Sequence, residues 1–200
     1  MGVNKRYPCA VSSAPAGRRQ QILETAAELF AARGFHGVSV ADLGAAVGIS
    51  GPGLYKHFSG KDAVLAEMLV SISEELLSVG RQRVAEADDA VAAVRALVDW
   101  HVGFALRHRP LIVVQDRDWE SLPQADRERV RTLQREYVEL WAERLRAVHD
   151  DLEPDRARAM SHAAFGLINS TPHSGLLPDG DMSLLLRQMA LHSLGIPDGG

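Results

Sequence analysis

One stretch, residues 39–61, constrains the fold of this 200-residue chain more than any other feature. Ser39 and, three positions later, Asp42 form the pattern of an N-terminal capping box, which marks the start of a short helix. Gly48 supplies a tight turn, and Ser50 is suited to cap a second short helix. Two short helices joined by a glycine turn predict a helix-turn-helix, a motif that places side chains in the major groove of DNA.

Apolar residues recur at helical spacing along the rest of the chain, and no segment in the second half alternates like a strand. We therefore predict an all-α fold of nine helices without a sheet. Besides the two short helices, the predicted segments are 18–33, 61–83, 88–108, a short apolar segment 111–114 after Pro110, 123–149, 154–170 and a last helix, capped by Asp181, that ends near residue 194.

Composition and charge divide the chain into three parts. Residues 1–16 hold two prolines and many small residues without periodicity and are predicted to be a flexible arm, followed by a helix-turn-helix domain over 17–60 and a helical domain over 61–200. The net charge of −4 is uneven, because residues 1–62 hold seven Lys or Arg against four Asp or Glu, which leaves +3 there and −7 in the remainder. The local positive charge that phosphate binding needs is therefore confined to the helix-turn-helix part.

Several classes of function are disfavoured. No apolar run approaches the ~20 residues of a membrane span, and no apolar signal core follows the N-terminus, so we expect a cytoplasmic protein without a membrane partner. The single cysteine, Cys9, excludes an internal disulfide and a cysteine-based zinc site. The histidines lack the spacing of metal ligands, and no nucleophile–base pair is evident, so neither a metal, a cofactor nor an enzyme is expected.

Residues 18–69, about a quarter of the chain, resemble the N-terminal domain of the tetracycline-repressor (TetR) family. The resemblance rests on Gly48-Ile49-Ser50, Leu54-Tyr55, His57-Phe58 and Lys61, with Ile22-Leu23, Ala26, Leu29-Phe30, Gly34-Phe35, Val40, Leu43, Ala46 and Gly53. It implies a nine-helix homodimer whose three N-terminal helices bind DNA and whose C-terminal domain binds a small molecule and dimerises. It also implies a repressor that its ligand releases from a palindromic operator.

The predicted DNA contacts combine this resemblance with the helix N-termini, which attract phosphate. The resemblance implies phosphate contacts for Tyr55, His57 and Lys61, while Lys56 points outward. The chain departs from the family pattern between Ser50 and Gly53. Many family members carry a polar residue there, whereas Gly51-Pro52 offers no side-chain donor. For Ser39 and Ser50, the alternative to a DNA contact is helix capping alone. For Tyr55, the alternative is packing on Leu43 or Phe58. The full set is Arg18, Ser39, Ser50, Gly51, Pro52, Tyr55, Lys56, His57 and Lys61.

The predicted effector site is an apolar pocket among the later helices. Arg107, Arg109 and Arg117 stand around Pro110, and the segment 111–141 loosely resembles family members that sense acyl-CoA thioesters. Such a ligand would place its chain in an apolar tunnel and its phosphorylated head at the arginines. The alternatives to ligand binding are that the aromatic residues simply pack in the core and that the arginines lie on the surface without a ligand. The candidate residues are Trp100, His101, Phe104, Arg117, Trp119, Tyr137, Trp141, Phe165, Asn169 and His173.

The last two helices are expected, by the same resemblance, to form the four-helix bundle of a homodimer. Small and apolar residues support this packing, with Ala163, Leu167, Leu185, Leu186 and Met189 as the predicted interface. Two other classes stay open: an all-helical enzyme or small-molecule carrier, and a DNA-binding protein that needs no ligand. The acidic second half argues against the latter, since general DNA binders need basic surface throughout. Repression and activation are both compatible with the sequence.

Overall fold

The computed structural model describes residues 17–197, so the predicted arm, 1–16, lies outside the described part of the chain. Within that part the fold is all-α, which confirms the prediction of nine α-helices. Two single turns of 3-10 helix, Trp119–Ser121 and Thr171–His173, supplement them. The helices are α1 (Arg18–Arg33), α2 (Val40–Ala46), α3 (Gly51–Leu54), α4 (Lys61–Ala85), α5 (Ala90–Arg107), α6 (Arg109–Asp118), α7 (Gln124–Val148), α8 (Pro154–Ile168) and α9 (Asp179–Ser193).

Two boundaries differ from the prediction. Helix α6 extends well beyond the expected segment 111–114, because Pro110 lies in its first turn, where a missing amide hydrogen costs no helical hydrogen bond. The prediction that Asp181 caps the last helix is wrong. Helix α9 begins at Asp179 after Pro178, so Asp181 lies inside the first turn, where a carboxylate still complements the helix dipole.

The local chemistry of the helix-turn-helix is as predicted. The Ser39 hydroxyl accepts a hydrogen bond from the Asp42 amide at 3.1 Å, and the Asp42 carboxylate accepts one from the Ser39 amide at 2.8 Å, which completes the capping box of α2. Gly48 takes a φ of +71°, in the left-handed region that side chains disfavour. The Ser50 hydroxyl accepts from the Gly53 amide at 3.2 Å and caps α3.

Two apolar clusters fill the interior. The first joins α1–α3 to the N-terminal half of α4 and also takes Val114 of α6, Leu122, and Val130 of α7. The second lies between α5, α7, α8 and α9 and also includes Leu77 of α4 and Ile112 of α6. Helices α4, α6 and α7 therefore belong to both, so the helix-turn-helix packs directly on the remainder of the chain. Within residues 17–197, none of the helices is both long enough and apolar enough to cross a membrane.

Candidate DNA interface and effector cavity

The surface after α3 presents an outward-facing tyrosine. Helix α3 is a single turn, because its Gly51-Pro52-Gly53 sequence has little helical propensity, so the predicted contacts 55–57 lie on the following turn rather than on the helix. Leu54 is fully buried and Phe58 is 3% exposed, which anchors both ends of that turn. Tyr55 between them is 58% exposed, so it does not pack into the core.

Two neighbours of Tyr55 differ in their exposure. The Lys56 side chain is exposed and makes no hydrogen bond or ion pair within residues 17–197, while His57 is half-buried. The His57 amide donates to the Leu54 carbonyl at 2.9 Å, which fixes the course of the turn. Three helices begin in this part of the chain: α2 is capped by Ser39, α3 is capped by Ser50, and α4, which follows residue 60, has no side-chain cap.

Two predicted DNA contacts also hold the domain together. The Lys61 ammonium donates to the carbonyl oxygens of Phe35 at 3.0 Å and Val38 at 3.1 Å, which ties the α1–α2 loop to the start of α4. The Arg18 guanidinium donates to the Val47 carbonyl at 2.9 Å, next to the glycine turn. Both groups have further donors, since an ammonium carries three and a guanidinium five.

A cavity of about 220 Å³ lies between α4, α5, α6, α7 and α8. Half of the ten predicted effector residues line it: His101, Phe104, Tyr137, Phe165 and Asn169. Their rings form a cluster. His101 and Phe165 have centroids 4.7 Å apart, and Tyr137 stacks on Phe165 at 5.4 Å. Aromatic contacts across three helices give this cavity a defined apolar wall.

The other half of the predicted set does not line the cavity: Trp100, Arg117, Trp119, Trp141 and His173. Trp100 donates its indole N–H to the Leu76 carbonyl at 3.1 Å. Trp119 packs on the first apolar cluster. Trp141 is fully buried behind the wall, and His173 is exposed on the second 3-10 turn. The plain core alternative therefore describes Trp141 and Trp119 better than ligand contact does.

The expected arginine cluster is wrong, because the three side chains point to three different partners. Arg109 pairs with Asp179 of α9 at 2.7 Å, and Arg107 lies over the Trp100 ring at 5.4 Å. Arg117 donates to two backbone carbonyls in the last turn of α1. These three arginines therefore do not form a common site at the cavity for the phosphorylated head group of a ligand.

Arg117 instead joins the cavity wall to the helix-turn-helix. Its guanidinium donates to the Ala31 carbonyl at 3.0 Å and to the Phe30 carbonyl, which also accepts from the Gly34 amide at 2.8 Å, so the guanidinium caps the C-terminal end of α1. It also pairs at 3.1 Å with Asp118, whose side chain is 7% exposed. Helix α6 therefore lines the cavity with one part and holds the end of α1 with the other.

Burial shapes the ionisation of the cavity. It lowers the pKa of His101 to about 4, although the hydrogen bond between its Nε2 and the Asn169 amide oxygen, which accepts, opposes the shift, so this imidazole is neutral at pH 7. Burial also raises the pKa of the Asp116 carboxyl, against the attraction of His173. The polar lining residues Ser73, Gln115, Asp116, Gln134 and His162 were not predicted, because they come from four different helices that only the folded structure brings together.

The surface of α8 and α9 carries exposed apolar residues. Leu185 is 40% and Met189 46% exposed, and Ala163 of α8 is also exposed, while Leu167 is half-buried. Leu186 is only 4% exposed and packs in the second cluster, so it is not available to a partner. Leu184, at 66% exposure, takes its place on the open face. Groups of exposed apolar residues of this kind mark interaction surfaces.

Comparison with known proteins gives matches along most of the chain. Residues 22–68 match the family model of bacterial regulatory proteins, tetR family, and residues 87–183 match that of the tetracyclin repressor-like C-terminal domain. The HTH-type transcriptional repressor KstR2 of Rhodococcus jostii (strain RHA1) is 31% identical over 135 residues, which are 67% of this chain and 66% of that protein. The chain thus spans just under two thirds of this curated relative.

Solved structures match over nearly the full length. A TetR-family transcriptional regulator from Bordetella parapertussis 12822 aligns with a TM-score of 0.79 and 25% identity, over 92% of this chain and 99% of that one. AibR, solved in complex with isovaleryl coenzyme A and operator DNA, aligns with a TM-score of 0.67 and 20% identity, over 86% of this chain and 97% of that one.

Proposed function

Because the chain belongs to the TetR family of bacterial regulatory proteins, we propose that it binds a palindromic DNA operator as a homodimer, represses transcription there, and is released by a small apolar effector. The observation that carries the proposal is the junction at α6, which lines the cavity and holds the end of α1. A ligand that changes the position of α6 therefore acts on the helix-turn-helix directly.

The proposed DNA surface is the face that carries residues 50–57. Tyr55 and Lys56 project outward from a turn whose ends are buried, and they supply an aromatic hydroxyl and a positive charge. The helix N-termini capped by Ser39 and Ser50 add further backbone amides suited to phosphate. With Gly51-Pro52 at the start of α3, direct base reading falls to Tyr55, Lys56 and backbone groups.

The test begins with selection of duplexes from a random double-stranded library with the full chain. We expect a palindromic site, because a symmetric dimer presents two equal half-site readers. On the selected duplex, Tyr55→Ala and Lys56→Ala each weaken binding by about tenfold or more, as loss of a direct contact does. Arg135→Ala on α7, which also removes one exposed positive charge, keeps normal affinity. Unchanged affinity of Tyr55→Ala refutes the proposed surface.

Dimerisation is proposed through the open face of α8 and α9. Leu184, Leu185, Met189 and Ala163 give this face its apolar area. A charge placed there is desolvated in the dimer, so Leu185→Glu yields a monomer in light scattering, whereas Ala125→Glu, exposed on α7, leaves a dimer. A wild-type protein that is monomeric at micromolar concentration contradicts the proposal.

The effector is proposed to place a compact, largely apolar group in the cavity. Short acyl-CoA thioesters are the first class to test, since AibR, which has the same fold, was solved with isovaleryl coenzyme A. The cavity of about 220 Å³ is smaller than the ~300–1,000 Å³ typical of whole-ligand pockets, so only the acyl part would enter it.

The effector test measures melting temperature and release from the selected duplex in the same titration. A ligand that binds the folded protein at 100 times its Kd stabilises it by about 2.7 kcal/mol. Isovaleryl-CoA and acyl-CoAs of increasing length are expected to raise the melting temperature and to release the duplex. Free coenzyme A is the matched control. If no acyl-CoA raises the melting temperature at saturation, this class is wrong.

A further inference from the structure

The effector cavity has an uncharged polar edge. Gln115 of α6, Gln134 of α7 and Asn169, which directly follows α8, line it, and each is half-buried. The carboxamides of Gln115 and Gln134 make no hydrogen bond to any described residue, and the Asn169 amide nitrogen makes none either. These unpaired atoms are open to solvent, in contrast to the buried Nδ1 of His101, so a ligand in the cavity can reach them. We call these three residues the amide rim.

The amide rim offers both donors and acceptors. The amide oxygen of Asn169 lies 3.1 Å from Nε2 of His101 and accepts its hydrogen, so the NH2 group of Asn169 is left as a donor. Gln115 and Gln134 can each donate and accept. A ligand group that itself donates and accepts, as an amide does, therefore matches this rim better than a group that does only one of the two.

The charge around the cavity disfavours anions. Among the described residues, no lysine or arginine lines it, and the one carboxylate in its lining is that of Asp116. An anion there would lose its hydration without meeting a cation, which is costly. A second cavity of about 270 Å³, which shares Ile72 and Leu111 with the first, is no better suited, because three glutamates and a single arginine line it. A phosphate or carboxylate thus finds no favourable place on either side.

We propose that the effector is recognised as an uncharged molecule, whose compact apolar group fills the cavity while a neutral amide group binds the amide rim. The inference rests on the proposed function, since it assumes that this cavity is the effector site. For an acyl-CoA thioester, it assigns recognition to the acyl group and to the uncharged, amide-bearing arm next to it. The phosphates of such a ligand then stay in solvent and contribute little to its affinity.

Three compounds that share one branched alkyl group test the charge of the ligand. At pH 8, where an ordinary histidine is neutral, 4-methylpentanamide is uncharged, 4-methylpentanoate is an anion and 4-methylpentan-1-amine is a cation. Titration calorimetry or ligand-observed NMR gives their dissociation constants for the full-length protein. We expect the amide to bind more than about tenfold tighter than the carboxylate, because the carboxylate loses hydration without gaining a partner. Equal binding of these two, or tighter binding of the amine, overturns the inference.

Substitutions at the rim test which side chains bind the amide. Gln115→Met and Gln134→Met keep the length of the side chain and remove the carboxamide, so the affinity for 4-methylpentanamide should fall by about two- to tenfold, as loss of a neutral hydrogen bond does. Gln124→Met is the control, because Gln124 is exposed at the start of α7 and does not line the cavity. Asp116→Asn should strengthen binding of the carboxylate and leave that of the amide unchanged. Wild-type affinity for the amide in both rim variants overturns the inference.

A comparison of two thioesters tests the contribution of the phosphates. S-Isovaleryl-N-acetylcysteamine has the acyl group, the thioester and the first amide of isovaleryl-CoA but carries no phosphate. We expect the two dissociation constants to agree within about fivefold, because exposed charges contribute little to binding. A much tighter CoA thioester, whose affinity falls with added salt, means that the phosphates are bound and overturns the inference.

Release of the selected duplex separates this inference from the proposed function. If the CoA thioester releases the duplex but binds through its phosphates, the effector control stands and the inference fails. If the uncharged compounds bind with the expected preference and release no DNA, the inference stands and the proposed effector control fails. If neither 4-methylpentanamide nor the N-acetylcysteamine thioester binds, the inference fails whatever the CoA thioester does.

Discussion

Arg117 links the cavity wall to the DNA-binding part, and its removal should weaken both stability and effector control. Arg117→Met keeps the length of the side chain and removes the donors to the Phe30 and Ala31 carbonyls. The Ala31 carbonyl then loses its side-chain donor at the end of α1, and the Phe30 carbonyl keeps only the bond from the Gly34 amide at 2.8 Å. The substitution also leaves the carboxylate of Asp118, a residue that is 6% exposed overall, without its only cation within residues 17–197.

The magnitude follows from these contacts. A hydrogen bond from a charged donor contributes about 1.5–3 kcal/mol, and the lower value suits a guanidinium whose side chain is 42% exposed. Two such bonds give a loss of about 3 kcal/mol in the free energy of unfolding. Arg129→Met is the control, because its partner Glu74 at 2.8 Å is also exposed and such surface pairs contribute about 0–1 kcal/mol.

Urea unfolding at pH 7 measures both losses, and operator release measures the coupling. We expect Arg117→Met to bind effector and DNA but to need more effector for release, since the hydrogen bonds that join α6 to the end of α1 are lost. A loss of stability no larger than that of Arg129→Met, together with normal release, refutes the reasoning. The double variant Arg117→Met with Asp118→Asn should be more stable than Arg117→Met alone, because it removes the unpaired buried charge.

Two further predictions concern the helix-turn-helix. Ser39→Ala removes the capping hydroxyl of α2 and should cost about 1 kcal/mol of stability in urea unfolding. Hydrogen bonds from the Ser39 hydroxyl and amide lower the pKa of Asp42 in the folded protein. The stability that they contribute is therefore complete above the usual carboxyl pKa and is lost as the pH falls through the lowered pKa of Asp42. Because Ser39→Ala lacks the hydroxyl bond, its stability should fall less on acidification than that of the wild type. Gly48→Ala forces a side chain into φ +71° and should cost about 1–2 kcal/mol, while Ala45→Gly, at an exposed site in α2, costs less.

Predictions that rest on local chemistry match the structure. Ser39, Asp42 and Gly48 act on neighbours within a few residues, so their spacing alone defines the cap and the turn. The extent of α6 was predicted less well from Pro110, because a proline in the interior of a helix ends it, whereas a proline in the first turn is tolerated. The sequence does not show which of these positions a proline occupies until the start of the helix is known.

Predictions that depend on long-range packing were less accurate. Arg117 bonds to residues that lie 86 and 87 positions earlier, and nothing near it in sequence signals that direction. Leu184, Leu185 and Leu186 follow one another on α9, so a small change in the rotation of that helix decides which of them faces the core. The five predicted effector residues that line the cavity sit on the inner faces of α5 and α7 or at the end of α8, where helical periodicity already points inward.

Amide hydrogen exchange of the full-length protein, with and without a selected operator duplex, tests the central claim most directly. If the face after α3 binds DNA, exchange slows at residues 39–61, above all at the N-termini of α2, α3 and α4. Adding the effector should restore the exchange rates there and slow exchange in α6 instead. Slowing that is confined to α7–α9, or no slowing at 39–61 on a duplex that the protein binds, would contradict the account.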